Sequence, residues 1–433
     1  MASKPRIAIT LAVLSLAGMV AACGGGDDAA DDKPAGAAQS GSGDTGAALT
    51  MWTRAATEAA SGRLVKEYNA THKNQVKLTV IPTDNYQARV AAAAGGDNLP
   101  DLFASDVIYA PNYTSQGLYL DITDRINELS FKDSLAPAHM RLGTFEDKQY
   151  TVPHTLDLSV LFWNKKLYEE AGLDPETPPK TMKEFAEHAT TIREKIGGDT
   201  YGTFFGGNCP GCYVFTFWPS VWAAGGDIMN EDGSASTIDD PNMAETFKIY
   251  NQLVQDDVVA PAAKDEAGPT WTGVFPKGKI GVMPMPSTTL GAMPPDMDIG
   301  VAPIPGPDGG ESTFVGGDVI GVSASSDQAD AAWDFLAWTL SEEAQVELLA
   351  KNKDVVARTD LANNKYSAED PRVVLSNEMV AKGETPFALN FGATYNDPTG
   401  PWLKVARDAV YGDNVEQALA SGKESLTQSL AQQ

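Results

Sequence analysis

The chain has 433 residues, of which 58 are acidic and 32 are lysine or arginine, so its formal net charge is −26. Hydrophobic residues make up 42% and aromatic residues 8%, which is typical of folded globular domains. The acidic excess excludes nucleic acid as the expected partner, because such binding depends on neutralising phosphates. Three cysteines and four histidines predict neither a dense disulfide scaffold nor a rich metal centre. The length predicts two or three domains.

The N-terminal segment is typical of an export signal followed by a tether. Residues 7–22 carry no charge, a length that suits a secretory signal and is short for a membrane span. The small residues before Cys23 resemble a bacterial lipobox, in which the signal peptide 1–22 is removed and the cysteine is acylated. An ordinary cleavage site beside a chance cysteine is the alternative. Residues 23–48 are rich in Gly, Ala and Asp and predict a disordered tether.

These features predict the location of the mature protein. Removal of the signal peptide takes away two positive charges, so the mature net charge is −28. No later stretch of the sequence is apolar enough to span a bilayer. We therefore expect a protein anchored by lipid to the extracytoplasmic face of the bacterial cytoplasmic membrane.

From residue 49 onward, the hydrophobic pattern alternates between strands and helices. Strands are expected at 49–52, 76–81, 102–104, 150–153, 158–163 and 279–283, and helices at 57–72, 85–94, 182–196, 245–255, 329–349 and around 416–419. This alternation predicts an α/β fold with βαβ units and a parallel sheet. Ligands of such sheets bind beyond the carboxyl ends of the strands. Pro153 is expected to end its strand.

Several segments, in their order and spacing, resemble the extracellular solute-binding proteins of sugar ABC importers, the class that contains maltodextrin-binding protein. These segments are 95–103, 150–153 with 160–173, 178–185, 223–227, 278–283 and 314–318. The resemblance covers nearly all of 49–420 and implies a two-lobed periplasmic-binding-protein fold, type II-like, with hinge crossovers and a ligand cleft between the lobes. Lobe one would hold 49–154 and 287–345, and lobe two 158–285 and 350–433.

The same resemblance implies a receptor and not an enzyme. It would capture a sugar and deliver it to the transmembrane subunits of an ABC permease, as a monomer without cofactor or metal. The family often has a Trp after the strand at 279–283, but residues 284–287 contain no aromatic side chain, which favours a di- or short oligosaccharide. A receptor for a sugar phosphate or glycerophosphodiester is the alternative. A lipid-anchored glycoside hydrolase using Asp106 and Asp157 is a remote one.

Sugar recognition needs aromatic rings against the apolar sugar faces and planar polar groups for the hydroxyls. On the first lobe and its hinge, the resemblance and the local pattern select Arg54, Asp84, Ser105, Asp106, Tyr109 and Asp157. Arg54 ends the first strand, although pairing with a neighbouring acid is its alternative role. Asp106 could instead cap a helix. Asp157 lies between two leucines and needs partners that sugar hydroxyls would provide.

The remaining candidates lie later in the chain and are Phe215, Trp222, Trp271, Gly316, Gly317, Arg358 and Trp402. Trp402 matches the stacking Trp of the family's C-terminal segment. Gly316 and Gly317 would let the backbone approach a ligand closely. Trp218 and Asn164 are expected to be structural.

Cys209 and Cys212 form a C-x-x-C pair with three interpretations. A redox site would start a helix directly after a strand, whereas this pair follows two glycines and Asn208. A zinc site lacks a second ligand pair nearby. We expect a small structural disulfide in an oxidising compartment, with a lipoprotein oxidoreductase as a remote alternative for the whole chain.

Overall fold

A computed structural model describes residues 43–96 and 98–432. The predicted signal peptide and the acylation of Cys23 lie outside these residues. The strands are β1 (Ala48–Arg54), β2 (Gln75–Ile81), β3 (Leu102–Asp106), β4 (Thr144–Phe145), β5 (Lys148–Gln149), β6 (Val152–Asn164), β7 (Val282–Pro286), β8 (Ile299–Ala302), β9 (Ile304–Gly306), β10 (Gly309–Ser312) and β11 (Val315–Val322).

Among the described residues, the helices alternate with the strands from β1 to β3, as the hydrophobic pattern predicts, and beyond β3 they come in groups between groups of strands. They are α1 (Glu58–Thr71), α2 (Tyr86–Ala94), α3 (Ala110–Ser115), α4 (Thr123–Asn127), α5 (Pro137–Leu142), α6 (Lys165–Ala171), α7 (Met182–Ile196), α8 (Pro210–Ala223), α9 (Pro241–Gln255), α10 (Ala329–Thr339), α11 (Pro371–Met379), α12 (Pro401–Tyr411) and α13 (Val415–Leu430). No helix in the described ranges is both long enough and apolar enough to cross a bilayer.

Seven strands form one mixed sheet in the order β2-β1-β3-β11-β6-β7, with β8 also beside β6. The pairs β1–β2 and β1–β3 are parallel, as expected. The expectation of a parallel sheet is wrong beyond them, because β11 runs antiparallel to both β3 and β6, and β7 and β8 run antiparallel to β6. The chain therefore enters β7, β8 and β11 from the end of the sheet opposite to the one at which it enters β6.

Strand β6 links the two halves of the sheet. Its residues from Val152 to Leu158 pair with β11, and those from Ser159 to Trp163 pair with β7. The sequence predicts two strands here with Pro153 as a stop, but there is one strand of 13 residues. Pro153 lies where the register with β11 shifts, which is a position in a sheet that tolerates a residue without an N–H.

The two lobes can be described from these pairings. The first consists of β1, β2, β3, β11 and the start of β6, with α1, α5 and α10 packed against it. The second consists of the end of β6 with β7 and β8, and with the helices α6 to α9, α12 and α13 packed on one another. An aromatic core around Trp218, Trp402, Phe217 and Tyr250 fills the second lobe.

Two segments differ from the expected lobe ranges. Strand β8, expected in lobe one, pairs with the second half of β6. Residues 355–358, expected in lobe two, contact the first lobe, since Val355 bridges to Leu156 and the Ala136 amide donates to the Ala357 carbonyl at 2.9 Å. The predicted helix 329–349 ends at Thr339 and is followed by a separate π-helical turn, Ala344–Leu349.

The end of the predicted tether is folded. The Asn74 side chain is fully buried, and its Oδ1 accepts hydrogen bonds from the amides of Thr45, Gly46 and Ala47 at 2.9–3.1 Å. Its Nδ2 donates to the Gly43 carbonyl at 2.9 Å. One side chain therefore holds residues 43–47 against the first lobe, directly before β1.

We predict that Asn74→Ala lowers the free energy of unfolding by about 2 kcal/mol, because it leaves several buried or half-buried polar groups without partners. Urea denaturation measures this loss. The exposed Asn352 is the matched control, and Asn352→Ala should change stability by less than about 0.5 kcal/mol. Equal effects of the two variants would contradict this account of the N-terminal segment.

Candidate ligand-binding cleft

A cleft of about 650 Å³ lies between the lobes. The first lobe contributes the ends of β1 and β3 and the start of α1, and the second lobe contributes the start of α8 and the loop before Trp271. The hinge strands β6 and β11 form its floor through Thr155, Asp157 and Gly316. Its volume falls within the roughly 300–1,000 Å³ of small-molecule sites.

Arg54 lies at the cleft edge of β1 and is paired with two carboxylates. Its Nε donates to Asp318 Oδ1 at 2.9 Å, Nη2 contacts the same oxygen, and Nη1 lies 2.9 Å from Asp106 Oδ2. Thr57 Oγ1 donates to Asp318 Oδ2 at 2.8 Å. Burial opposes the charge on Arg54, but the carboxylates outweigh it and raise its pKa above the ordinary value. The alternative role of Arg54, pairing with acids, is therefore present, although the pair is buried and not on the surface.

Asp106 combines both roles considered for it. It lines the cleft, and its Oδ1 accepts from the Ile108 amide at 3.2 Å at the start of a short helical turn. Burial raises the pKa of the Asp106 carboxyl even though Arg54 lies beside it. Because its hydrogen-bonding capacity is shared between Arg54 and the backbone, it is a fixed acceptor at the cleft wall.

Asp157 is a cleft carboxylate without a cationic partner among the described residues. It lies in β6 opposite Gly316 of β11. Its Oδ1 accepts from Thr288 Oγ1 at 3.1 Å and, at 3.4 Å, from the Thr288 amide and Ser287 Oγ. Burial raises its pKa to about 6, since these bonds only partly offset the loss of water. This carboxylate retains acceptor capacity directed at the cleft.

Aromatic rings supply the apolar surface. Phe215 and Trp271, two of the predicted ligand residues, line the cleft, and Phe314 and Phe391 line it as well. The Phe215 and Phe314 ring centroids are 5.4 Å apart. Residues 284–287, at the end of β7, contain no aromatic side chain, and Pro286 and Thr288 line the cleft there. The rings that line the cleft come from other segments.

The two predicted glycines lie on the floor of the cleft. Gly317 has φ +105°, and a Cβ there would lie 2.0 Å from the Thr155 carbonyl oxygen. His139 of α5 lies behind the strand and its Nε2 donates to the Gly316 carbonyl at 3.0 Å. Burial lowers the pKa of His139 to about 4, so that it is neutral at physiological pH. Because a Cβ at position 317 would overlap the Thr155 carbonyl oxygen, the close packing of β11 on β6 requires glycine there.

Three first-lobe candidates do not line the cleft. Asp84 is exposed, while its neighbour Thr83 reaches the cleft. Ser105 is fully buried and accepts from Tyr119 Oη at 3.0 Å. Tyr109 is half-buried and its hydroxyl accepts from Asn396 Nδ2 at 3.3 Å, so it contacts a lining residue without lining the cleft itself.

Three later candidates also lie elsewhere. Trp402 is 0% exposed in the aromatic core of the second lobe, and its Nε1 donates to the Pro210 carbonyl at 3.1 Å. Arg358 is buried, paired with Asp360, and lies over the Phe131 ring. Trp222 lines a separate cavity, and its Nε1 contacts Asp227 at 3.3 Å.

The two residues expected to be structural have structural positions. Trp218 is fully buried among Trp402, Phe391 and Tyr395. Asn164 caps α6, since its Oδ1 accepts from the Leu167 amide at 3.3 Å.

Cys209 and Cys212 form a disulfide in the structure. Cys209 is the N-terminal cap of α8, and both cysteines line the cleft. Residues 43–96 and 98–432 contain no group of three or more His, Cys, Asp or Glu that could hold a metal ion.

Several site residues were not predicted. Asp318 belongs to the segment 314–318 that carries the family resemblance, so its position after the two glycines was an available signal. Thr288 follows the end of a strand, where cleft residues are expected in this fold class. Asn396 and Phe391 lie near a π-helical turn, Gly392–Asn396, and no local pattern indicates them.

Comparisons with known proteins agree with this architecture. The sequence model described as bacterial extracellular solute-binding protein matches residues 53–346, more than half of the chain. The diacetylchitobiose binding protein DasA of Streptomyces coelicolor is 30% identical over 407 residues, which cover 90% of this chain and 91% of that protein.

Two solved structures are similar over 89% of this chain. The cyclic alpha-maltosyl-1,6-maltose binding protein of Arthrobacter globiformis has a TM-score of 0.76 and 26% identity, with 99% of that chain covered. The sugar-binding protein MalE of Xanthomonas citri has a TM-score of 0.78 and 18% identity, with 97% covered, and supports the two-lobed fold. This chain belongs to the bacterial extracellular solute-binding protein family and has the family's two-lobed fold and extracytoplasmic location.

Proposed function

We propose that the protein is the sugar receptor of an ABC importer. It binds a neutral di- or short oligosaccharide in the cleft, closes around it, and delivers it to the permease without covalent chemistry. The carrying observation is Asp157, which has no ion pair in the part of the chain that the structure describes and lines the cleft together with the rings of Phe215 and Trp271. Sugars match this combination because they have apolar ring faces and hydroxyl donors. The names of the similar proteins, which mention diacetylchitobiose and maltosyl-maltose, support the same class.

The charges of the cleft disfavour the phosphate alternative. Asp106, Asp157 and Asp354 line the cleft, whereas Arg54 is the one cationic residue among the described lining residues. Its guanidinium already donates to Asp318 and Asp106. A phosphate would therefore enter next to the Asp157 carboxylate, and the described residues that line the cleft offer no free cation to bind it.

The hydrolase alternative is also disfavoured by the geometry. A glycosidase needs one carboxyl group as proton donor and another as base or nucleophile, both free to reach the glycosidic oxygen or the anomeric carbon. Asp106 is tied to Arg54 and to the Ile108 amide. Of the two proposed acids, Asp157 alone lacks an ion pair within residues 43–96 and 98–432.

A ligand panel tests the proposed function. Thermal shift with neutral mono- to tetrasaccharides, including diacetylchitobiose and maltotriose, should raise Tm for at least one sugar, since binding to the native state stabilises by about 2.7 kcal/mol at 100 times Kd. Glucose 6-phosphate and glycerol 3-phosphate should give no shift. Calorimetry gives Kd, and chromatography of the sugar after incubation should find it intact. A shift by phosphates alone, or cleavage of the sugar, would contradict the proposal.

We also propose that a lipid anchors the protein to the membrane. The anchor site, Cys23, lies outside the described residues, and the lipobox-like sequence before it supports this part of the proposal. We expect acylation at Cys23, with the folded lobes tethered by the following segment. Cys23→Ser should move the protein from the membrane fraction to the soluble fraction without changing sugar affinity. If the variant, with its signal still cleaved, stays in the membrane fraction, acylation at Cys23 is excluded as the anchor.

We predict that removing the Asp157 carboxylate lowers sugar affinity but raises the stability of the ligand-free protein at neutral pH. Asp157→Ala should weaken sugar binding by about 10- to 1,000-fold, because hydrogen bonds to charged groups are the stronger kind. The parent affinity should fall as pH drops through about 6, where the carboxylate becomes protonated, and Asp157→Asn should abolish this pH dependence. Calorimetry between pH 5 and 8 measures both.

The stability of the ligand-free protein should change in the other direction. The native pKa of Asp157 lies above the ordinary value of 3.8, so the native state binds more protons than the unfolded state and loses stability as pH rises from about 4 to 6. Asp157→Asn should therefore raise Tm at pH 7.5 and leave it unchanged at pH 3.5. The exposed Asp84→Asn variant is the matched control and should resemble the parent in every assay. An Asp157→Asn variant with parental affinity and pH profile would exclude this carboxylate as a ligand group.

A further inference from the structure

The disulfide lies in the wall of the cleft and not at a remote position. Cys209 and Cys212 both line the cleft, together with Gly211 between them. Cys209 caps α8, and its sulfur accepts from the Cys212 amide at 3.1 Å. Cys212 is only 7% exposed. The disulfide therefore forms part of the surface that a ligand meets, at the start of the helix that carries Phe215.

The disulfide also packs against the segment that precedes Trp271, the second of the two predicted aromatic residues that line the cleft. A Cβ on Gly268 would lie 3.1 Å from Cys209 Sγ and 3.7 Å from Cys212 Sγ, so this backbone packs directly on the disulfide. Gly268 has φ +116°, a conformation that glycine adopts readily. Trp271 follows three residues later and lines the cleft.

Glu266 holds the turn between Gly268 and Trp271. Its Oε1 accepts from the Gly268 amide at 2.8 Å and from the Thr270 amide at 3.3 Å, and its Oε2 accepts from Thr270 Oγ1 at 2.5 Å. The Asn208 amide, next to Cys209, donates to the Glu266 carbonyl at 2.8 Å. The disulfide and this turn thus form one packed unit directly before Trp271 in the chain.

The helix start has anchors that do not depend on the disulfide. Trp402 Nε1 donates to the Pro210 carbonyl at 3.1 Å, and Tyr213 Oη and Arg407 Nη1 donate to the Gly207 carbonyl at 3.0 and 2.6 Å. These bonds belong to the buried aromatic core. Loss of the disulfide should therefore loosen the cleft wall without unfolding the second lobe.

We propose that the Cys209–Cys212 disulfide is a positioning element for sugar binding, which holds Phe215 and Trp271 in place at the cleft wall so that both rings can contact the sugar. This inference rests on the proposed function and extends it. It makes sugar affinity depend on an intact disulfide. A purely structural role explains why the two cysteines are oxidised to a disulfide, but it does not explain why the disulfide lines the cleft.

A double-mutant cycle tests this role. Cys209→Ser with Cys212→Ser should weaken binding of the tightest sugar from the panel by about tenfold, and Trp271→Ala should do the same in the parent. In the disulfide-free background, Trp271→Ala should cost only about twofold more, because the ring has already lost its position. Calorimetry of the four proteins measures the coupling.

Two controls separate positioning from general stability. Asn74→Ala lowers Tm at a distance from the cleft and should leave sugar affinity unchanged. If the serine variant does not fold, parent protein reduced with a phosphine replaces it in the cycle, with a gain of two thiols over the unreduced protein confirmed by titration.

The outcomes are distinct. Additive effects of the disulfide and Trp271 changes, or parental affinity in a folded disulfide-free protein, would overturn the positioning role while leaving the proposed function intact. A parent protein that binds no sugar in the panel would overturn the proposed function, and this inference with it.

Discussion

Strand β6 belongs to both lobes, because its residues up to Leu158 pair with β11 and those from Ser159 pair with β7. The ladder hydrogen bonds fix the backbone on both sides of this change, so relative rotation of the lobes must be absorbed near it. Asp157 lies two residues before Ser159, with Leu158 between them. The group proposed to bind the ligand therefore lies beside the place where the lobes are joined, and a ligand held there can favour one lobe orientation over another.

The buried ion pairs of the first lobe determine what kind of ligand the cleft accepts. The Arg54 guanidinium donates hydrogen bonds to Asp318 and Asp106. Its positive charge, which could have attracted an anionic ligand, is therefore neutralised by carboxylates of the first lobe. Among the described residues, Asp157 has hydroxyl and amide donors as its only partners, and burial raises its pKa. A cleft with aromatic walls and an acceptor without an ion pair favours a neutral molecule with hydroxyl groups over a phosphorylated one.

Local signals predicted elements well, and tertiary contacts explain most of the differences. The helix Met182–Ile196 has the predicted bounds, since Thr181 caps it at 2.9 Å to the Glu184 amide and Gly197 follows with φ +65°. The antiparallel returns of β7, β8 and β11 leave no trace in local periodicity. The family resemblance and the position between two leucines select Asp157 as a ligand group, and Asp157 lines the cleft in the structure. The residues next to Trp402 in the sequence do not distinguish a Trp that lines a cleft from one that fills a core. Its packing against Trp218 and Tyr395 shows that it belongs to the core.

The central claim is that a neutral sugar binds at the junction of the two lobes. A crystal structure of the protein with the tightest sugar from the ligand panel tests it most directly. We predict a sugar hydroxyl within hydrogen-bonding distance of the Asp157 carboxylate and a sugar ring face against Phe215 or Trp271. A sugar bound outside the cleft, or bound within it without contact to Asp157, would contradict the account.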